Sequence, residues 1–233
     1  MRFNPKKCNI MQVARSNPLT KIYEMCDEAL ICATDARYLG VSISNDLQWE
    51  KHINNVARKA NNTLNFLRRN LRYCPRDVKS TAYFSLVRST MDYAASCWDP
   101  YLQKDKDKLE QINRRAARFV GNIPRSDRTT SVTSLMKDMQ WNTLEKRRQN
   151  QRMCMMYKIS HQLVAVPPTQ LIPPNRRTRS NHCYKYQTIR ANTTVYKNSF
   201  YPRSIPEWND LSADLAESPS LDTFKSRLAK SAP

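Results

Sequence analysis

Apolar and polar positions alternate along residues 8 to 43 in the short runs CNIMQVA, TKIYEM, ALICA and ARYLGVSI, punctuated by Asn17-Pro18, Cys26-Asp27-Glu28 and Thr34-Asp35. A period near two between turn residues predicts a small β meander. The period changes at His52. Ile53, Val56, Ala60, Leu64, Leu67 and Leu71 recur every three or four residues, which lays one apolar stripe along a helix until Tyr73-Cys74-Pro75 ends it. Pro75 suits the first turn of a second helix, with Val78, Ala82, Leu86 and Tyr93 on one face and Phe84, Val87 and Met91 widening it. A third helix, LEQINRRAARFV, sets Leu109, Ile112, Ala116 and Phe119 on one side and stops at Gly121, with Pro124 beyond. SVTSLMKDM predicts a fourth.

Asn142 followed by Glu145 resembles a capping box for a helix through Leu144, Met155 and Ile159 toward Val164, closed by Pro167 and Pro168. From Pro173 to Pro206 the chain is proline-punctuated, basic and aromatic, with the β-leaning pieces YKYQTIR and TTVYKNSFY, and reads as an extended arm with a strand or two. A short last helix is expected at SLDTFKSRLA, capped by Ser220, with Leu221, Phe224 and Leu228 inward. The fold class that follows is mainly α: a helical bundle preceded by a small β meander and followed by a basic, aromatic arm with a short C-terminal helix. The expected divisions are 1–50, 51–166 and 167–233.

Composition then narrows the function. The chain of 233 residues, 40% of them hydrophobic, is long enough to bury a core, while 39 lysines and arginines against 20 acidic residues give a net charge of +19. Such an excess points to a polyanion, nucleic acid first, as partner. Only Gly40 and Gly121 are glycines, so Gly-rich phosphate loops and the chemistry built on them are excluded. Cys8, Cys26, Cys32, Cys74, Cys97, Cys154 and Cys183 are odd in number and scattered, without C-x-x-C pairs. They predict reduced thiols, no metal site and an intracellular location. The N-terminal MRFNPKKCNIM lacks an apolar secretory core, and no stretch approaches the roughly 20 apolar residues that span a bilayer, so no membrane partner is expected.

No catalytic constellation emerges. Asp92, in TMDYAAS, invites comparison with a polymerase aspartate box, but it falls in a helical pattern, whereas that box sits at a strand turn. Asp105 and Asp107 belong to a KDKDK run that reads as a solvated helix start. The binding signals are better. Between Lys51 and Arg88 there are nine basic residues and one acidic residue, Asp77, and Arg68, Arg69 and Arg72 follow Arg58 and Lys59 along one helix. Arg114, Arg115 and Arg118 form a second cluster, whose alternative role is salt bridging to Glu110, Asp105 or Asp107. From Arg176 to Arg203 seven basic residues alternate with Tyr184, Tyr186, Tyr196, Phe200 and Tyr201, suited to phosphate contact with base stacking or, equally, to a core.

These segments carry a resemblance. FNPKKCNIM resembles the reverse-transcriptase motif that follows the catalytic box, and RYLGVSISNDLQWEKHI resembles the next, the primer-grip hairpin. KANNTLNFLRRNLRYCPRDVKSTAYFSLVRSTMDYAASCWDP, LEQINRRAARFV, a W-x-x-L-E-x-R-R segment, FYPRSIPEWNDL and SPSLDTFKSRL are similar, in order and spacing, to the C-terminal region of non-LTR (LINE-type) retrotransposon polymerases, jockey-like or CR1-like. The resemblance implies an RNA-directed DNA polymerase working through two metal ions on palm aspartates that would precede Met1. This chain would hold the end of the palm and the helical thumb, with no catalytic residue and no cofactor of its own. It further implies that Lys6 or Lys7 lies near an incoming nucleotide, that Tyr38, Leu39 and Gly40 support the primer end, and that the basic helices hold RNA, DNA or their hybrid by the backbone. Where the family often has proline before the D/E-Y-A segment this chain has Thr90, and its turn at Cys26-Asp27-Glu28 lacks the common glycine.

Overall fold

The structure is a computed structural model that describes residues 4, 7–13, 22–124, 126–127, 129–174 and 182–230. The chain divides into two compact units, Met1–Lys59 and Ala60–Pro233.

In the first unit, short strands pair two by two. β2 (Glu24–Met25) and β3 (Glu28–Ala29) form an antiparallel hairpin whose two turn residues, Cys26 and Asp27, both have positive φ, at 52° and 62°. Right-handed strand twist favours such a two-residue loop, and here it forms without the usual glycine. β1 (Asn9–Ile10) pairs in parallel with β4 (Ile31–Cys32), so the strands are not joined by hairpins alone. β5 (Asp35–Tyr38) and β6 (Val41–Ser44) make the longest hairpin, closed by Leu39 and Gly40 at φ 45° and 85°. The Ser42 N–H donates to His52 Nδ1 at 3.2 Å, and burial holds this imidazole below its ordinary pKa. α1 (Glu50–Asn70) starts in this unit and ends in the second. It is helical throughout the span where the period changed, and Ile53, Val56, Ala60, Leu64 and Leu67 are all buried.

In the second unit α2 (Arg76–Ala82), a π-helical segment (Tyr83–Arg88) and α3 (Ser89–Asp92) run on continuously behind Pro75. The buried residues are Lys79, Tyr83, Val87 and Met91, while Val78, Leu86 and Tyr93 are exposed. The expected face at Val78, Leu86 and Tyr93 is therefore corrected, while Val87 and Met91 are buried as expected. A π turn takes more than four residues, which holds a strict spacing of four in register on one side and moves the 3.6-period set outward. Ala94 then adopts a left-handed conformation, φ 50°, before α4 (Ala95–Trp98).

α5 (Gln103–Val120) buries Leu109, Ile112, Asn113, Ala116, Ala117 and Val120. Asp105 at its start is also buried, correcting the solvated reading of the KDKDK run. The helix stops at Gly121 as expected, although the left-handed residue is Asn122, φ 58°. Space at Gly121 is tight: a Cβ there would lie 3.0 Å from Leu135 Cδ2 and 3.2 Å from the Ala117 carbonyl, so these neighbours would have to give slightly. α6 (Val132–Asp138) is capped by Ser131. α7 (Leu144–Ser160) is capped one residue later than the capping-box pattern suggested: Thr143 Oγ1 accepts the Lys146 N–H at 3.2 Å. Glu145 is engaged elsewhere, by Lys106 at 2.5 Å.

α4, α5, α9 (Phe200–Asn209) and α11 (Leu221–Lys230) all pack on α7. Met153, Met156, Tyr157 and Ile159 from α7 join Leu171, Ile205, Trp208, Leu215, Ala216, Phe224 and Leu228 in one core. The stretch expected as an arm is part of that core. No strand forms in it among the described residues; TTVYKNSFY instead enters α8 (Thr194–Lys197) and α9, and α10 (Ala213–Ala216) leads to α11. Tyr184, Tyr186, Phe200 and Tyr201 pack against this core, and Trp208 Nε1 donates to the Tyr184 carbonyl at 2.8 Å. Burial outweighs the β preference of the segment. Residues 175–181 of the basic stretch lie outside the described residues. No helix among the described residues is long and apolar enough to cross a membrane.

With so few glycines, helix ends use other residues. At the end of α7 Leu163 N–H bonds the Lys158 carbonyl at 2.8 Å and Gln162 N–H the Ile159 carbonyl at 3.1 Å, the Schellman pattern, with Gln162 at φ 53°. A left-handed side-chain-bearing residue costs roughly 1–2 kcal/mol, part of which glycine's greater unfolded-state freedom cancels. Gln162→Gly should therefore stabilise the protein by about 0.5–1 kcal/mol, read as a shifted midpoint in urea denaturation with an unchanged slope. A midpoint that stays or falls would show that the glutamine side chain contributes what its backbone loses.

Candidate functional site

The second unit carries a pocket of about 1070 Å³ between the end of α1, the end of α5 and the turn after it. Arg68, Arg69 and Arg72 reach it from α1 and the residues that follow, Arg115 and Arg118 from α5, and Lys79 from α2. Asn65, Tyr73, Phe119 and Asn122 complete most of the lining, and no acidic side chain lines it. Helical spacing explains part of the convergence: residues three and four apart share a face, so 65, 68 and 69 stand together, as do 115, 118 and 119, while Arg72 and Asn122 follow just past the ends of α1 and α5.

Five of the six charges are compensated only weakly. Among the described residues no carboxylate pairs with Arg69, Arg72, Lys79, Arg115 or Arg118. Arg115 Nη1 donates to Asn61 Oδ1 at 3.3 Å, and the Arg72 guanidinium lies 5.5 Å from the Tyr73 ring centre. Arg118 Nη2 donates to the Pro124 carbonyl at 2.6 Å and to the Asp127 carbonyl. Glu110, the nearest alternative on α5, accepts instead from Asn113 Nδ2 at 2.9 Å and from the Leu144 N–H at 2.8 Å, where it neutralises the start of α7. Helix dipoles also favour cations at the ends of α1 and α5, which accounts for part of the cluster without any ligand.

Lys79 is the residue that sequence reasoning missed. It is 2% exposed, its Nζ donates to Asn122 Oδ1, and it lies 5.3 Å from the Phe119 ring centre. Both partners are neutral. Its spacing of four before Tyr83, Val87 and Met91 was the available signal.

Of the other expected positions, Arg58 and Lys59 belong to the first unit, are exposed, and do not line the pocket; Arg58 Nη2 donates to Asn55 Oδ1 at 3.3 Å. Arg114 is exposed and also outside the lining. Tyr38 ends β5 and Leu39 and Gly40 form the turn to β6, with exposed side chains at Tyr38 and Leu39, and Lys7 is exposed in a short turn. Lys6 lies outside the described residues. Asp92 is ion-paired to Arg147 at 2.5 Å and faces Arg88 at 3.9 Å. Among the described residues no group of three or more His, Cys, Asp or Glu side chains is placed to hold a metal ion.

A second charged assembly lies in the interior. Asp99 accepts from Arg148 Nε at 2.8 Å and is ion-paired with Arg152 and with Arg203 Nη2 at 3.2 Å, and Arg152 grips Glu207 at 2.6 and 2.7 Å. Burial pushes the Arg148 guanidinium down to about 10 and lowers Arg152 and Arg203 as well. CWDP, W-x-x-L-E-x-R-R and FYPRSIPEW, distant in sequence, thus meet at one carboxylate. No family model, no curated protein and no solved structure matches the chain.

Proposed function

We propose that the chain binds nucleic acid through its phosphate backbone, as the thumb-like C-terminal part of a LINE-type retrotransposon reverse transcriptase, without a polymerisation centre of its own. The observation that carries the reading is the pocket with six converging cations and no carboxylate in its lining. Like charges held together raise the energy of the free protein, and a polyanion releases that repulsion. The ordered likeness of the segments from FNPKKCNIM to SPSLDTFKSRL supplies the family, and an A-form-like hybrid is the duplex such a region would hold, by shape and backbone rather than sequence.

Affinity for RNA, DNA and hybrid should fall with salt. With about five phosphate contacts the log–log slope is roughly −3.5 to −4.5. Replacing Arg68, Arg69 and Arg72 together by alanine should remove up to about three units of slope and weaken all three nucleic acids alike, as fluorescence anisotropy across a salt series would record. The second reading is a helical protein-interaction module of mobile-element origin, favoured by the exposed Val78, Leu86 and Tyr93 along α2 and its continuation. A triple variant that keeps full affinity and slope would put that reading in place of the first.

A further inference from the structure

The cations of the pocket are graded in depth. Arg69, Arg72 and Arg115 are exposed at its rim, Arg68 and Arg118 are half-buried, and Lys79 is buried at its foot. A duplex backbone passing over a surface needs only the rim. A buried ammonium whose partners are a neutral amide and an aromatic ring is held at a cost that an approaching anion would remove. Asn122, which accepts from Lys79 Nζ, is itself exposed, so its amide can turn away and a phosphate oxygen can take its place.

We propose that this pocket reads the phosphorylated end of a nucleic-acid strand, with Lys79 and Arg118 taking a terminal phosphomonoester. The inference rests on the nucleic-acid reading above. An internal phosphodiester carries one charge and has sugar on both sides, which keeps it in the path of the strand. A terminal phosphomonoester is tethered on one side and carries about −1.5 to −2 charge at neutral pH with three acceptor oxygens, so it can enter and answer several donors. Arg69, Arg72 and Arg115 then meet the phosphates that follow. Tyr73, 91% exposed and beside Arg72 at the mouth, offers its ring to the terminal base.

The test is anisotropy at fixed salt with single strands of one sequence and about twelve nucleotides, bearing a 5′-phosphate, a 3′-phosphate or only hydroxyls. A hydroxyl-ended strand one nucleotide longer serves as the charge control. One phosphorylated end should bind about ten-fold more tightly than both hydroxyl-ended strands, the size of effect that one or two charge-assisted hydrogen bonds give. Lys79→Met should abolish that preference, Asn122→Gly, which suits the left-handed backbone at that exposed position, should enlarge it, and Arg69→Gln should weaken every strand by the same factor. Equal binding of all strands by the unaltered protein overturns the end-reading site and leaves the nucleic-acid reading standing. Binding of none of them overturns both.

Discussion

Asp99→Asn should cost about 3–5 kcal/mol of stability, because it removes one partner from a buried charge cluster and leaves the others uncompensated. The Asp99 side chain is 5% exposed and answers Arg148, Arg152 and Arg203 together, with Arg203 Nη1 also on its backbone carbonyl at 3.1 Å. Asparagine keeps the shape and a carbonyl oxygen but withdraws the charge. Arg152 would keep Glu207 as its ion pair, while Arg148 and Arg203 would lose the carboxylate they touch. The loss should appear as a lower urea midpoint with little change in slope, since the same surface unfolds. The network joins α7 and α9 to the turn after α4, so the same variant should expose the 182–230 region to protease at denaturant concentrations where the unaltered protein resists. A loss under about 1 kcal/mol would mean that water already screens the cluster.

That network also shows where sequence reading reached and where it stopped. α1 was legible because its stripe at Ile53, Val56, Ala60, Leu64 and Leu67 obeys one period and meets no proline, and the buried side is that stripe. The continuation past Pro75 was legible as a helix but not in its face, since nothing in YFSLVR announces a π segment, and Tyr83, Val87 and Met91 follow its spacing instead. The region after Pro173 was misjudged for a different reason. Pro202 and Pro206 read as breakers, yet Pro202 stands in the first turn of α9, and Pro206 sits inside the helix. Ile205 and Trp208 beside them are fully buried, and that burial outweighs the bond a proline forfeits.

The candidate site divides the same way. Five arginines of the pocket were visible as runs on helical spacing, because a guanidinium cluster is a local property of sequence. Lys79 was not, because burial of an ammonium depends on Phe119 and Asn122 arriving from 40 and more residues away. Asp99, Arg148 and Arg203 were equally silent: each looks like an ordinary surface charge until the tertiary fold closes over it.

Leu64→Ala and Leu67→Ala should each destabilise the protein by about 2–5 kcal/mol, through lost transfer energy and the cavity left behind. Both leucines are almost fully buried, on the side of α1 away from the exposed Asn65 and Arg69. Together they should consume most or all of a typical folding margin of about 5–15 kcal/mol, so the double variant should lose its cooperative thermal transition in circular dichroism. The arginine triple variant on the same helix should melt as the unaltered protein does or slightly above it, because it relieves repulsion without opening a cavity. Nucleic-acid affinity should run in the opposite sense among folded proteins: intact in the single Leu64→Ala variant below its melting temperature, and weak with a shallow salt slope in the arginine variant. Two faces of one helix would then be separated into a face that holds the fold and a face that holds the ligand. If Leu64→Ala lost affinity while still folded, as much as the arginine variant does, the pocket would depend on packing within α1 and the division between the faces would fail.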